Sequence, residues 1–539
     1  MAVAALVRQQ LTRRLTPLTS SNNPRPHKTP FDNRASLLGA DMRDQPMPHL
    51  KLGTNMKKLF VCVLLLAPLW QISFSYAADT SENAAKIDKL MSQYVDCCSF
   101  TGTVLVSDHD KVIFKKGYGL ANREWNIPNT PDVKFRLGSI TKQFTSMLVM
   151  QQVAKGFIRL DGHLSDYLVY YRKDTGSKVT ISQLLSHTSG IPSYTDDPKF
   201  FDEVSRNYYA VDDFVKKYCS GDLQFEPGTK FHYDNSGFFL LGAILEHVTG
   251  KTYETLLKEN ILVPLGMKDS GYDHYADILP KRASGYQQDL GGVVNAPYLD
   301  MALPYAAGSL YSTVEDLYKW DQALYTDKLV PNDLKQKLFT PNLENYGYGW
   351  DIRTISINEP GAGQTMISHG GGINGFNTLE QRLVGDHDLI VIFNNTPGAS
   401  LGEMAKGIRA ILYGQEPATP KRPLAHDLGD TIVNRGVEAA VAQYRELKHT
   451  NPNGYNFDEN ALNGLGYLLL EKGRNADAIA ILSLNVEEYP KSANSYDSLA
   501  EAYAKDGQKQ QAIAYYRKSL ELNPKNQNAA DKLKELQQK

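Results

Sequence analysis

Residues 101–119, TGTVLVSDHDKVIFKKGYG, alternate apolar and polar side chains and break at SDHD, the pattern of a β-hairpin. Strand signals return only much later, in GYGWDI, TMISHGG, FNTLEQRL and DLIVIFNN, between residues 347 and 395. Helical patterns lie between. The run after Ser139 turns apolar and reads as a buried helix, and VTISQLLSHTSGIPSY reads as a capped helix stopped by Gly190 and Pro192. SGFFLLGAILEHVTG, 236–250, is a strongly apolar helix ended by Gly250. STVEDLYKWDQAL, 312–324, is another, with Ser312 or Thr313 as N-cap and Glu315 near the capping-box position. Strands at both ends with helices between predict an α+β domain whose sheet is closed by distant parts of the chain.

The pattern changes after GQEPATPKRPL, 414–424, where three prolines mark a linker. Beyond it the chain is helical and repeats itself. Gly473 recurs as Gly507, Ala478-Ile479 as Ala512-Ile513 and Pro490 as Pro524, each pair 34 residues apart. Leu499, Ala500, Tyr503, Ala512, Tyr516 and Pro524 sit where the tetratricopeptide repeat has its packing residues, and this segment resembles that repeat. A looser copy ends at Pro490, and VEAAVAQYRELKHTNPN reads as a degraded first copy, giving the three or so hairpins that a shared core needs.

The N-terminus reads as an address. From Met56, two lysines precede an apolar core running to about Ile72, and small residues Ala77 and Ala78 follow, the order of a secretory signal. Residues 1–55 read as a non-native or unstructured extension. The expected division is therefore a signal at 56–78, a first domain at 79–413, a linker at 414–424 and helical repeats at 425–539. Export to the bacterial periplasm or the medium follows from the signal, with no membrane association once it is cleaved. Cys97, Cys98 and Cys219 remain after cleavage; the odd number gives no disulfide framework, and all three read as small buried hydrophobes. A net charge of −2 argues against a protein that holds nucleic acid on a basic surface.

The chemistry begins at FRLGSITKQF, 135–144. Residues three apart on a helix share a face, so Ser139 and Lys142 project together, with Ser139 at the helix start where backbone N–H groups are unbonded. A lysine in apolar surroundings sheds its proton more readily and can activate a serine without histidine. Tyr233 and Asn235 in FHYDNSG, and His369 in SHGGGINGF, complete a set that resembles the serine β-lactamase and penicillin-binding superfamily. The branch it is similar to contains class C β-lactamases, D-alanyl-D-alanine carboxypeptidases, D-aminopeptidases and esterases. LLSHTSGI and AAGSLYSTVEDL also resemble that branch, and the likeness covers roughly residues 85–412. It implies an antiparallel sheet flanked by helices, with a helical subdomain.

By that resemblance Ser139 is the acylated nucleophile, Lys142 its amine partner and Tyr233 a near-ionised proton relay. Asn235 steadies Lys142 and grips a substrate amide. The N–H groups of Ser139 and Gly372 form the oxyanion hole, and Gly371 keeps a family position on an edge strand that substrate approaches closely. His369 stands where lactamases carry lysine, which weakens carboxylate recognition and favours amides and esters that lack a carboxylate. The reading is an exported serine hydrolase forming an acyl-enzyme on an amide, peptide, ester or β-lactam carbonyl, with peptidase or esterase preferred over β-lactamase proper. The alternative is a penicillin- or peptide-binding module that does not turn over and interacts through its repeats. No cofactor or metal is required. Partners are a small-molecule or peptide substrate and, through the repeats, another protein or a second copy. His187 reads as packing, SDHDK as turn chemistry rather than a metal cluster, and Tyr346, Tyr348 and Trp350 as strand residues that either wall the pocket or fill the core.

Overall fold

The computed structural model describes residues 67–197, 199–356 and 363–538, with side chains described from Ser81 onward. The extension at 1–55 lies outside the described residues, as does most of the candidate signal at 56–78, of which only helical backbone from Ala67 is described. Among the described residues no helix is long and apolar enough to cross a membrane. From Ser81 onward the chain forms one compact unit.

Helix α1 (Ala67–Cys98) leads into the hairpin β1 (Gly102–Asp108) and β2 (Lys111–Tyr118). Helix α2 (Thr141–Ala154) follows the segment containing Ser139, and α3 (Asn235–Thr249) follows the FHYDNSG segment. A small hairpin, β3 (Tyr286–Asp289) and β4 (Gly292–Asn295), precedes α4 (Val314–Leu324). Four strands then run in sequence: β5 (Asp351–Ser356), β6 (Gly363–Ile373), β7 (Phe376–Leu383) and β8 (Asp388–Asn394), before helix α5 (Leu401–Leu412). They join the first hairpin in a six-stranded sheet of order β5-β6-β7-β8-β1-β2. β1 lies antiparallel to β8, Gly102 opposite Asn394, so the two ends of this region close the sheet as the pattern of strands predicted.

Both faces of the sheet are covered, which is why β8 is an unbroken apolar run rather than an alternating one. Val104, Val106, Ile390 and Ile392 face α1 and α5, meeting Leu90, Met91, Met404 and Ile408. Leu105, Leu389, Val391 and Phe393 face the larger core with α2, α3 and α4, where Phe144 stacks on Trp320 at 4.2 Å between ring centres. Helix ends follow the sequence signals: Gly250 closes α3 at φ 66°, and the Thr313 hydroxyl accepts from Asp316 N to cap α4.

Two readings change. GYGWDI is not wholly strand: Gly347 N donates to Trp350 O and Gly349 sits at φ 81°, so the chain turns and β5 starts only at Asp351. Cys97 and Cys98, expected as unpaired hydrophobes, are joined by a disulfide. They are the last two residues of α1, before Ser99 takes φ 55°, and Cys98 stays in the core beneath the sheet. Cys219 is a buried free thiol, as expected.

The C-terminal region is a run of antiparallel helices: α6 (Leu424–Arg435), α7 (Val437–Thr450), α8 (Glu459–Glu471), α9 (Asn475–Glu488), α10 (Ala493–Lys505), α11 (Lys509–Leu522) and α12 (Gln527–Gln538). Gly473 and Gly507 take φ 70° and 79° at equivalent turns, a conformation open to glycine that explains their recurrence. Leu499, Ala500, Ala512 and Tyr516 are buried, as packing positions of a repeat must be. One element of the sheet-bearing region reaches into this array. At the tip of the β3–β4 hairpin, Leu290 packs with Leu424, Leu428 and Ile432, and Asp289 pairs with Lys472 at 2.5 Å. Truncation of a buried leucine costs about 2–5 kcal/mol. Leu290→Ala is therefore expected to loosen the repeats from the rest, so that one thermal unfolding transition becomes two by calorimetry. A single transition with the wild-type midpoint would count against this contact as the joint.

Candidate active site

Ser139 lies in a single 3₁₀ turn, Gly138–Ile140, that runs straight into α2. Gly138 permits the turn, with φ 57°, and also a close approach: a Cβ there would lie 2.9 Å from Gly372 N. On β6, a side chain at Gly371 would strike Leu137 O. Thr378 Oγ1 donates to that same carbonyl at 2.7 Å. The glycines thus let β6 lie directly against the serine turn.

Lys142 is fully buried, one turn along α2. Its Nζ lies 3.1 Å from Ser139 Oγ, 2.8 Å from Asn235 Oδ1 and 3.0 Å from Ala307 O. The rings of Tyr233 and Phe238 lie 4.8 and 5.5 Å from it. Burial pulls its pKa down to about 7, against the Asp234 carboxylate, which favours the cation. Two of the three oxygen neighbours are carbonyls and can only accept. A neutral amine therefore gives both its N–H groups to Asn235 and Ala307, and its lone pair is left facing the serine hydroxyl.

The segment around Asn235 is held as firmly. Asp234 caps α3 by accepting from Gly237 N. Asn235 N donates to Ser193 Oγ, and its Nδ2 donates to Thr195 Oγ1, both at 3.0 Å. The amide expected to grip substrate is thus engaged at both ends by protein, and its structural task here is to orient Lys142. Tyr233 hydrogen-bonds Ser139, yet burial raises its phenol above the usual tyrosine range despite that bond. Burial thus works against the near-ionised tyrosine that the family likeness implies and favours the protonated phenol. The His187 ring packs 4.2 Å from that of Tyr233, and its Nδ1 accepts from Asp234 N at 3.2 Å, consistent with a packing role.

His369 lies on the same face of β6 as Gly371 and is buried. Burial, reinforced by the Lys142 charge, holds its pKa down at about 3, so it is neutral as expected. Nδ1 contacts Gly370 O at 2.6 Å and Nε2 contacts Tyr346 OH at 2.8 Å. β6 is not an edge strand along its whole length. β5 pairs with it from Gly363 to Ser368 and stops, so the side of β6 from His369 to Ile373 is open where it passes the serine. Of the aromatic run, Tyr346 joins the site, Tyr348 bonds Ser182 Oγ at 2.7 Å and Trp350 is core. SDHDK forms the β1–β2 turn, with His109 N donating to Asp388 Oδ1 at 3.0 Å.

Sequence reasoning gave no role to Thr195, to the Ala307 carbonyl or to Glu380. Glu380 faces His369 across the β6–β7 register and is fully buried, and neither of its oxygens has a well-formed hydrogen bond among the described residues. Burial, aided by Asp321, pushes its carboxyl up to about 8, against the Gln143 amide and Arg382.

With this geometry in view, the chain matches the beta-lactamase family over residues 87–412, and it belongs to that family. Residues 493–526 match the tetratricopeptide repeat. PbpX of Bacillus subtilis (strain 168), named for penicillin binding, is 28% identical over 62% of this chain and 82% of its own. The penicillin-binding protein of Bacillus halodurans superposes with a TM-score of 0.53 at 28% identity, over 60% of this chain and 98% of that one. A D-stereospecific amidohydrolase from Streptomyces sp. does so with a TM-score of 0.53 at 26% identity, over 62% and 99%.

The buried Glu380 sets a pH dependence of stability. The unfolded chain loses this proton near the ordinary glutamate value of 4.5, whereas the fold keeps it to about 8, so stability falls as pH rises between the two. Glu380→Gln removes the penalty. Denaturant titrations should find the variant equal to wild type at pH 4 and more stable by roughly 3 kcal/mol at pH 7. A variant no more stable at pH 7 than at pH 4, relative to wild type, would show that Glu380 is ionised in the fold.

Proposed function

We propose that this protein is an exported serine hydrolase that cleaves an amide, peptide or ester through an acyl-enzyme at Ser139. The observation that carries the reading is the Lys142 amine, buried and within 3.1 Å of Ser139 Oγ, with two carbonyl oxygens taking its N–H groups. A lysine with a pKa of about 7 is half unprotonated at neutral pH and serves as the general base.

In the reaction Ser139 Oγ bonds to the substrate carbonyl carbon as its proton passes to Lys142 Nζ. The oxygen becomes an oxyanion between the N–H groups of Ser139 and Gly372, segments that the Gly138 approach holds side by side. Collapse breaks the bond to the leaving nitrogen or oxygen, which takes a proton from the Tyr233 phenol. Lys142 returns its extra proton to Tyr233. Water then attacks the ester at Ser139 by the reverse proton path and releases the acid.

The substrate class follows from the third segment. A neutral His369 supplies no cation for a carboxylate, so acyl donors uncharged at that point are favoured. The open side of β6 suits an extended chain that adds its backbone to the sheet. The similarity to a D-stereospecific amidohydrolase supports amides as substrates. The signal-like segment from Met56 supports export. The repeats supply an interaction region for a protein partner or a second copy, as tetratricopeptide segments do.

A reactive acyl donor is expected to leave an adduct at Ser139 by mass spectrometry, and Ser139→Ala to lose it along with about a thousandfold or more in turnover. Absence of any adduct would remove the assignment. Lys142 must be neutral to act, so kcat/KM should fall about tenfold per pH unit below 7 and level above it. Lys142→Arg, which keeps a permanent charge, should be inactive across the range. An active arginine variant would exclude the lysine as base.

A further inference from the structure

We propose that Tyr346 is a positioning residue that sets the substrate's charge preference: its hydroxyl occupies His369 Nε2 and keeps that wall of the site uncharged. The proposal rests on the serine-hydrolase reading above and adds a residue that the motifs do not include.

The case starts from a proton count on one ring. Gly370 O, 2.6 Å from His369 Nδ1, can only accept, so Nδ1 carries the proton. Nε2 then holds a lone pair, and Tyr346 O–H, 2.8 Å away, donates to it. Both nitrogens are used by the protein, and neither is left to meet a substrate. A second proton on the ring would force the Tyr346 O–H to turn elsewhere. Tyr346 is itself buried, with the rings of His187, Phe231, His369 and Tyr233 at 4.8, 5.7, 5.8 and 6.2 Å.

The charged and titratable groups facing this pair come from every neighbouring element: Lys142 on α2, His187 after the short helix Ile181–Leu185, and Tyr233 and Asp234 at the start of α3. Asp351 on β5 and Glu380 on β7 complete the set. Lys142 and His187 disfavour a cation on His369. The hydroxyl of Tyr346 adds a directed bond to that field and occupies the nitrogen that Gly370 O leaves unprotonated. Without the hydroxyl, Nε2 is a buried nitrogen with no partner, a state that costs about 1–3 kcal/mol. It is relieved when Nε2 takes a proton and pairs with a substrate carboxylate. Tyrosine at 346 therefore selects against acyl donors that carry a carboxylate beside the scissile bond.

The test compares kcat/KM for a D-alanyl-D-alanine peptide with its C-terminal amide, from pH 5 to 8, in the full chain. Protonation of Lys142 affects both substrates alike and cancels in the ratio. The wild-type ratio of acid to amide is expected to stay level with pH. In Tyr346→Phe it is expected to rise about tenfold toward pH 5, as relief of an unpaired nitrogen implies. A level Tyr346→Phe ratio equal to that of wild type would overturn the proposal. A second measurement needs neither turnover nor a folded variant at 346. With ¹⁵N-labelled histidine, the His369 signal, identified by its loss in His369→Asn, should show the neutral Nδ1–H tautomer down to pH 5. An Nε2–H tautomer or an imidazolium there would overturn it. Because the spectrum is read without substrate, it separates failure of this proposal from failure to find an adduct at Ser139.

Discussion

A lysine amine with no water around it governs this molecule. Water would keep Lys142 a cation, with its lone pair absent. Removing that water makes the neutral form accessible near pH 7, and the Asn235 and Ala307 oxygens then decide where its lone pair points. In the mechanism we propose, the acid–base work that other hydrolases assign to histidine comes from burial and two carbonyl groups. The same exclusion of water explains the other protonation states nearby. Tyr233 keeps its proton, His369 stays neutral and Glu380 is held as the acid.

Keeping that amine dry requires elements from all along the first region. The 3₁₀ turn before α2 contributes the serine and the first turn of α2 the lysine, the start of α3 contributes Tyr233 and Asn235, and the turn before α4 contributes the Ala307 carbonyl. β6 closes over them. Its approach is limited by backbone rather than side chains. Gly138, Gly371 and Gly372 meet where no methyl group fits between Gly138 and Gly372, or between Gly371 and Leu137. The sheet that carries β6 is anchored on both faces, so its position is set by two cores at once.

Much of this is written in the sequence, and the parts that are not share a cause. Ser139, Lys142, Tyr233 and Asn235 stand out because short motifs fix their spacing, and the structure brings these four together. The repeats stand out because Gly473 and Gly507 recur at one period, each forced by a left-handed turn. The Ala307 carbonyl leaves no mark, since every residue has a carbonyl and only the tertiary fold selects one. Thr195 is an ordinary threonine until Asn235 reaches it. Protonation states depend on burial from many directions, which no local pattern encodes, and burial acts on Tyr233 in a way that likeness alone does not convey. The Cys97–Cys98 bond lies at one helix end, below the resolution of a periodicity argument. Leu290 carries no signal in the sequence, and nothing near it announces a partner more than a hundred residues onward.

The pairing of Gly102 with Asn394 has a consequence for how the molecule comes into being. The interior strand β1 is made early in its region, and its neighbour β8 is among the last of that region. Until that late segment arrives, the apolar faces of the first hairpin have nothing to close on. Contacts so distant along the chain make for slow assembly, whereas each helical hairpin of the repeats closes locally. Closure of the catalytic region's sheet therefore waits on residues 388–394, however early its first hairpin forms.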